Sequence, residues 1–183
     1  RGRYQSSGGS GELAACISCS GDTYTAGTGS TASDLCFCMP RADLPSVPVA
    51  LGMASDGSGG FTELNGAHGV ATFVIDGSTY AIVASYGDHG VQLIDVGDPS
   101  APAAVATAAD NAGGFTELNG ASGVATFAIN GSTYAIVAAF GDDGVQLIDV
   151  SDPSAPVALG AATDSSNGFT ELDRAHGVST FTS

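Results

Sequence analysis

Short stretches in the middle of the chain place apolar side chains on both sets of alternating positions. Residues 70–75 and 80–86 follow this pattern, and 91–96 is a third short run of the same kind. A period of two is typical of β-strands, and two apolar faces are typical of sheets that pack against sheets on each side. Asp76-Gly77 separates the first two runs and predicts a two-residue hairpin turn, because a type I′ turn needs positive φ at both positions.

The same pattern returns after 54 residues. Residues 60–98 and 114–152 are identical at 32 of 39 positions, and a third copy starts at Gly168. A weaker fourth strand is predicted over 101–108, and over 47–54 in the preceding copy. A repeat of this length indicates units that bury their apolar faces against each other. We therefore predict an all-β fold of tandem 54-residue, four-stranded antiparallel blades, similar to a β-propeller but incomplete within this chain, after a small disulfide-rich module.

Composition divides the chain into three parts. Residues 1–11 are rich in Gly and Ser and predict a flexible arm, residues 12–42 contain all four cysteines, and residues 43–183 contain the repeats. The repeat region divides into 43–96, 97–150 and a partial copy at 151–183. The chain starts at Arg1 and no apolar signal core follows, so we expect a processed N-terminus or a segment of a longer precursor.

The cysteines bracket a loop of Gly, Ser and Thr that has almost no apolar side chain to bury: Cys16, Cys19, Cys36 and Cys38. A segment of this size without a core is usually held by disulfides. Four cysteines allow three pairings. We favour Cys16 with Cys36 and Cys19 with Cys38, because these bonds tie both ends of the loop. Zinc is the alternative, although zinc knuckles usually have two residues between paired cysteines and Cys36 and Cys38 have one.

The segment CISCSGDTYTAGTGSTASDLCFC resembles the small cysteine-rich modules of extracellular proteins. Ephrin-receptor-like and tumour-necrosis-factor-receptor-like repeats are similar in style, since their paired cysteines flank a GxYxxG-type loop. What the resemblance implies is an extracellular or cell-surface location, where disulfides persist.

Acidic residues dominate the charged positions. The chain has 19 Asp and Glu, four Arg and no Lys, for a formal net charge of −15 at pH 7. Binding to nucleic acid or to an anionic membrane surface needs Lys and Arg, so neither is expected as a partner. No run of about 18 apolar residues occurs, so the sequence predicts no membrane insertion.

Histidines recur with the period but form no catalytic pattern. His68 and His176 are in register while the middle copy has Ser122, and His89 corresponds to Asp143. A metal-binding or general-base role repeated in each copy would not tolerate these exchanges. We therefore interpret His68 and His176 as polar residues near strand ends, and His89 as a turn residue. No Gly-rich phosphate loop or nucleophile elbow occurs, and we predict that the protein is not an enzyme and has no catalytic or metal site.

Recurring carboxylates leave calcium binding open as an alternative, since Ca²⁺ takes about 6 to 8 oxygen ligands. The recurring positions are Asp56, Asp110 and Asp164; Glu63, Glu117 and Glu171; and Asp88 and Asp142. None has the close Asp-x-Asp-x-Asp spacing of a calcium loop. Asp98 and Asp152, each followed by Pro, are interpreted as turn residues that bond to their own backbone. Asp95 and Asp149 are expected to cap neighbouring backbone groups.

One hairpin tip contains an N-glycosylation acceptor sequence, Asn130-Gly131-Ser132. The equivalent turn one repeat earlier has Asp76 and cannot be modified. We therefore predict a glycan on Asn130 when the protein is made by a cell with the glycosylation machinery.

The segments TYAIVAAFGDDG and GVQLIDVSDPSAPV resemble the LVIVD repeat of secreted bacterial, archaeal and algal proteins. The resemblance covers residues 43–183. It implies β-propeller blades of four antiparallel strands and an extracellular, adhesive or scaffolding role, and the family has no catalytic motif to transfer. The number of repeats differs, because closed propellers have about 4 to 8 blades and this chain has two complete copies.

These observations together predict a non-enzymatic extracellular structural or adhesive protein. Residues 178–182 align with the first strand of the repeat, and natural proteins cover the edge of such a strand. A strand added from another copy would cover it and would join copies head-to-tail, either into a closed ring or into an open assembly. The strong internal repetition favours an open filament or a surface assembly. The alternatives are a calcium-dependent carbohydrate- or peptide-binding propeller and a fragment of a larger propeller enzyme. Glycans are the other partner that we consider.

Overall fold

The computed structural model describes residues 50–181 and the backbone of two short antiparallel strands, β1 (Thr23–Thr25) and β2 (Cys38–Pro40). Contacts divide the chain into two units, Arg1–Val49 and Ala50–Ser183. The predicted arm at 1–11 and the cysteine side chains lie outside the described residues. The predicted disulfides therefore stay predictions.

The second unit contains two antiparallel sheets of four strands each. Sheet 1 consists of β3 (Ala67–Ile75), β4 (Ser78–Ser85), β5 (Gly90–Asp95) and β6 (Ala103–Ala109); sheet 2 consists of β7 (Ala121–Ile129), β8 (Ser132–Ala139), β9 (Gly144–Asp149) and β10 (Val157–Thr163). Within each sheet, strands that follow one another in the chain are hydrogen-bonded neighbours. Residues 50–181 contain no helix, and hence none that could cross a bilayer. The prediction of an all-β fold with four-stranded antiparallel blades is confirmed.

Both first hairpins have the predicted turn chemistry. Ile75 lies opposite Ser78, so the β3–β4 loop has two residues. Asp76 and Gly77 have φ values of 50° and 83°, and Asn130 and Gly131 have values of 52° and 84°. Asp and Asn tolerate this left-handed backbone better than other non-glycine residues, which explains why the two copies exchange one for the other here.

The fourth strand completes the sheet of the three strands that precede it in the chain. β6 pairs with β5, with Val91 opposite Ala108. Sheet 1 therefore extends past residue 96, the predicted boundary between the first and second repeats. Residues 50–54 and 178–181, which were expected to be strands, are not in strands. A strand forms beside a hydrogen-bonded neighbour, and no described segment pairs with either stretch.

A buried glutamine fastens the loop before each sheet to the third strand of that sheet. Gln92 is fully buried, and its side-chain amide makes four hydrogen bonds. Oε1 accepts from the N–H groups of Thr62 and Glu63 at 3.1 and 3.4 Å, and Nε2 donates to the carbonyl oxygens of Leu93 and Ala106 at 3.2 and 3.0 Å. Gln146 makes the equivalent four bonds in sheet 2. Burial of each amide is therefore compensated in full.

The two sheets contact each other through their first strands, β3 and β7. Glycine permits the close approach, because a Cβ atom at Gly69 would overlap the carbonyl oxygen of Ser122 on β7. Thr126 Oγ1 donates a hydrogen bond to the carbonyl oxygen of Thr72, 54 residues earlier, at 3.0 Å. The sequence period is thus a stacking period as well.

The third copy repeats both contacts on the other side of β7. A Cβ atom at Gly123 would lie 2.7 Å from the carbonyl oxygen of His176. Thr180 Oγ1 donates to the carbonyl oxygen of Thr126 at 2.7 Å, again across 54 residues. Residues 175–181 therefore lie on sheet 2 as β7 lies on sheet 1, although they belong to no sheet.

The main hydrophobic core fills the space between the sheets. Ile82 and Leu93 of sheet 1 meet Val124 and Ile148 of sheet 2 there. A smaller cluster around Phe61 covers the opposite face of sheet 1, where Phe61 packs with Ala81 and Ile94. Apolar residues therefore lie on both faces of sheet 1, as the sequence pattern predicted.

Candidate functional site

Equivalent side chains of the two sheets differ in exposure. Ile82 and Leu93 are fully buried on the face of sheet 1 that meets sheet 2, whereas their counterparts Ile136 and Leu147 are only partly buried. Val124 is 8% exposed at the interface, and its counterpart Val70 is 65% exposed. Each sheet therefore has one face on which the other sheet does not pack; on sheet 1 the Phe61 cluster covers part of that face and leaves Val70 exposed. We call the face with Val70 the outer face of sheet 1, and the face with Ile136 and Leu147 the outer face of sheet 2.

A side chain from the β4–β5 turn holds the loop of the next repeat. His89 has a φ of 58°, and its Nδ1 accepts a hydrogen bond from the N–H of Gly120 at 3.0 Å. Asp143 takes the same place one repeat later, where its Oδ1 accepts from the N–H of Arg174 at 2.8 Å. The interpretation of His89 as a turn residue is confirmed. The exchange of His for Asp is explained as well, because both side chains accept a hydrogen bond and tolerate positive φ.

Three carboxylates lie around the loop before sheet 1. Asp56 and Asp88 accept hydrogen bonds from the N–H groups of Leu64 and Asn65 at 3.2 and 2.7 Å. Glu63 lies between them, and its Oε2 is buried without a hydrogen-bond partner. Desolvation raises the pKa of Glu63, and the charges of Asp88 and Asp56 raise it further.

The equivalent loop before sheet 2 differs in one hydrogen bond. Glu117 Oε2 is likewise buried without a partner, but its Oε1 accepts a hydrogen bond from Thr163 Oγ1 at 2.8 Å. Desolvation raises the pKa of Glu117, and the Thr163 hydroxyl opposes this shift. Sheet 1 has Ala109 in place of Thr163, so Glu63 lacks such a donor. Desolvation also raises the pKa of the neighbouring Asp142.

These carboxylates do not form a metal centre. Within residues 50–181, no three His, Cys, Asp or Glu side chains are arranged to hold a metal ion. The carboxylates instead accept hydrogen bonds from backbone N–H groups of the loops. The side chains of residues 50–181 therefore give no support to the calcium alternative.

The turn aspartates behave as their sequence context predicted. Asp98 Oδ1 accepts hydrogen bonds from the N–H and the hydroxyl of Ser100 at 2.9 and 2.6 Å, and Asp152 does the same with Ser154. Hydrogen bonds to the ionised form lower the pKa of both carboxyls. Asp95 and Asp149 cap backbone N–H groups two residues later, at 2.8 and 2.9 Å.

The most distinctive surface feature is an open groove of about 370 Å³ at one end of the sheets. Four rings line it, from three different repeats: His68, Tyr86, Phe140 and His176. The rings of His68 and His176 meet edge to face with centroids 4.9 Å apart, and those of Tyr86 and Phe140 are 5.9 Å apart. The Arg174 guanidinium lies 5.8 Å from the centroid of the Phe140 ring. We call these five residues the aromatic groove.

Ser122 makes room for this arrangement. It stands in the middle copy where the other copies have His68 and His176, and it is buried. Its hydroxyl lies 2.9 Å from the carbonyl oxygen of His176 and 3.2 Å from that of Ala138, within hydrogen-bonding distance of both. A third imidazole at this position would lie between the other two. The serine therefore allows residues 108 positions apart in the sequence to touch.

Both histidines were predicted to lie near strand ends. His68 lies near the start of β3, whereas His176 lies outside any strand, and the contact between the two rings was not predicted. The available signal was the set of positions at which the copies differ. His68 against Ser122 and Tyr86 against Phe140 are two such positions, and Arg174 replaces a glycine of the other copies. The five residues at these differing positions all lie in or beside the groove: His68, Ser122, Tyr86, Phe140 and Arg174.

Asn130 is exposed at its hairpin tip, and its glycosylation stays a prediction.

Stacked four-stranded antiparallel sheets that repeat with the sequence period define a propeller-like repeat protein. In agreement with this class, the LVIVD repeat profile matches residues 128–164. This stretch runs from the end of β7 through β10 and so includes most of sheet 2. No curated protein matches the sequence.

Proposed function

We propose that the protein is a non-enzymatic, extracellular structural or adhesive component that joins copies of itself head-to-tail. The observation that supports this proposal is the match between its two outer faces. Near-identical repeats leave one face of each kind without a sheet packed on it, and the same two kinds of face already pack together inside the molecule.

The match can be followed residue by residue. Inside the molecule, Val124 of sheet 2 belongs to the same buried cluster as Ile82 and Leu93 of sheet 1. The outer face of sheet 1 presents Val70, the counterpart of Val124, and the outer face of sheet 2 presents Ile136 and Leu147, the counterparts of Ile82 and Leu93. Sheet 1 of one copy is therefore suited to pack on sheet 2 of another. The two surfaces differ, so the contact is head-to-tail and produces a ring or a filament.

Residues 175–181 mark the position at which an incoming strand would lie. They lie on sheet 2 as β7 lies on sheet 1, but no described segment pairs with them. β3 is an edge strand of sheet 1, and from Ala67 to Phe73 its sequence matches residues 175–181 at every position except Ala71. The β3 strand of an incoming copy could therefore make the same contacts with sheet 2 and would take the place of residues 175–181.

The extracellular location rests on sequence features. Four cysteines within residues 16–38 need an oxidising compartment if they form the predicted disulfides. Asn130 lies on an exposed tip where a glycan would not obstruct the sheet faces. The excess of acidic over basic side chains favours solubility of the protein before it assembles.

Light scattering of the full chain across a wide concentration range tests the proposal, together with electron microscopy of the largest species. We expect the mass to rise with concentration. Val70→Glu places a charge on the outer face of sheet 1 and should leave the protein monomeric, since Val70 is already exposed and the fold does not depend on it. Ser78→Glu adds the same charge at a hairpin end and is the matched control. A wild type that stays monomeric at every concentration, or a Val70→Glu protein that assembles normally, would contradict the proposal.

A further inference from the structure

We propose that the aromatic groove, formed by His68, Tyr86, Phe140, Arg174 and His176, is a binding site for a neutral oligosaccharide. This inference does not depend on the proposed assembly, because the groove lies within a single copy. It goes beyond a structural role and names the chemical class that a surface adhesin of this kind would contact.

The first argument is the exposure of the rings. Tyr86 is 41% exposed, and His68 and His176 are exposed as well. Phe140 lies between them and is partly buried. Large rings are usually buried or partnered, so a group of them at the surface marks a place of contact with another molecule.

The second argument is that the repeats differ in sequence at the groove, so that the chain has one such groove and not one per repeat. If the rings served only to stack repeats, each copy would have the same ones. Instead the middle copy has Ser122, and the hydroxyl of Tyr86 is absent from Phe140. The result is one groove with two imidazoles and one phenol, rather than a ring of three equivalent positions.

The third argument is the backbone of Arg174. Its φ is 54°, where the first two copies have Gly66 and Gly120 at 66° and 65°. A left-handed backbone is unfavourable for a non-glycine residue, and arginine has no short polar side chain to offset this. The substitution nevertheless places a guanidinium against the Phe140 ring. Strain of this kind is typical of functional positions.

The ligand class follows from the groups that line the groove. The faces of aromatic rings are electron-rich and attract the polarised C–H groups of a sugar ring. The imidazole nitrogens and the phenol hydroxyl of the lining are suited to bond the hydroxyl groups around it, and the Arg174 guanidinium lies beside the lining, against the Phe140 ring. A cationic ligand would compete with Arg174 for the Phe140 ring, and a polyanion would be repelled by a chain of net charge −15. A neutral saccharide meets neither obstacle.

Histidine ring signals in NMR spectra provide a direct test, because the chain has three histidines and only two line the groove. We expect titration with cellotetraose or maltotetraose to shift the ring signals of His68 and His176. His89, which is bonded to the Gly120 N–H, should shift less and serves as the internal control. Tetragalacturonate is the acidic comparison. Shifts with the acidic chain alone, equal shifts of all three histidines, or no shift with either neutral chain would overturn the assignment.

Variants of Tyr86 connect the shifts to the groove. Tyr86→Ala removes an exposed ring from the groove and should weaken binding at least tenfold. Tyr86→Phe reproduces the residue of the next copy, keeps the ring, and should weaken binding less. Tyr134→Ala, which removes a tyrosine that packs against Phe127 outside the groove, is the control for a general effect of losing a ring. The His89 signal reports whether each variant is folded. Unchanged affinity in a folded Tyr86→Ala protein would refute the proposal.

Discussion

Sheet 1 and sheet 2 are two copies of nearly the same sequence in different surroundings. Leu93 in sheet 1 is completely buried, whereas Leu147 at the same position of sheet 2 is partly exposed. The reverse holds on the other face, where Val124 is buried and Val70 is exposed. The local pattern is the same in both copies, so the neighbour of each sheet decides which apolar side chains are covered.

This difference explains why apolar residues occur on both faces of every strand. A sheet with sheets on both sides needs two apolar faces, and each copy is built for that position. In the described residues, only one sheet-to-sheet interface is complete. The remaining faces keep the same composition and are available for the packing that we propose.

Truncation of the equivalent leucines should give the largest effect and the sharpest test of this comparison. Leu93→Ala removes a fully buried side chain from the interface and should lower the free energy of unfolding by about 2–5 kcal/mol. Leu147→Ala should cost clearly less, because its side chain is already partly in water. Urea denaturation of both variants measures the difference. Equal losses would show that the two sheets are equivalent in solution, as they would be in an assembly that covers the outer face of sheet 2.

The glutamines offer a second test, at positions where the two sheets do not differ. Gln92 and Gln146 are both buried and make the same four hydrogen bonds. Substitution by Ala leaves buried backbone groups without partners, at about 1–3 kcal/mol for each such group. We therefore expect Gln92→Ala and Gln146→Ala to lower the free energy of unfolding by similar amounts. A loss at only one site would mean that the two loops are not fastened in the same way.

The smallest expected effect concerns pH and compares Glu63 with Glu117. The pKa of each is raised in the folded state, so the folded state binds these protons more tightly than the unfolded state. Their contribution to stability is therefore fully present below the unfolded pKa, near 4.5, and is lost as the pH rises through the folded pKa. The pKa values of Asp98 and Asp152 are lowered from 3.8 in the folded state. Their contribution to stability is therefore present above about pH 3.8 and is lost as the pH falls through the folded pKa.

Glu63→Gln and Glu117→Gln should each flatten the loss of stability above about pH 4.5. The larger change is expected for Glu63→Gln, because no hydroxyl donor opposes the shift there, whereas Thr163 bonds to Glu117. Melting temperatures measured across the acidic and neutral range check this. Ala109→Thr, which copies the sheet 2 residue into sheet 1, is the matched variant and should make Glu63 behave like Glu117. An unchanged pH profile in both glutamine variants would show that these carboxyls do not contribute.

Local chemistry allowed much of the fold to be predicted. The Asp76-Gly77 and Asn130-Gly131 turns, the first three strands of each sheet and the turn role of Asp98 follow from residues that are neighbours in sequence. The sheet to which β6 belongs could not be predicted in this way, because a strand that follows a loop can pair forwards or backwards with equal local propensity. The aromatic groove could not be predicted either, since it joins His68 to residues of two later copies.

The sequence alone determined the period, the strands, the turns and the two apolar faces, because each of these depends on side-chain alternation or on the φ preferences of single residues. Only the tertiary structure decided which faces are covered, which carboxyls lose their water, and which rings meet. Those properties depend on how the repeats stack. Gly69 and Gly123 permit the close approach of successive copies, and Ser122 leaves the space in which His68 and His176 touch. The same residue types at the same positions therefore have different roles in each copy, because a side chain's environment comes from the repeat beside it.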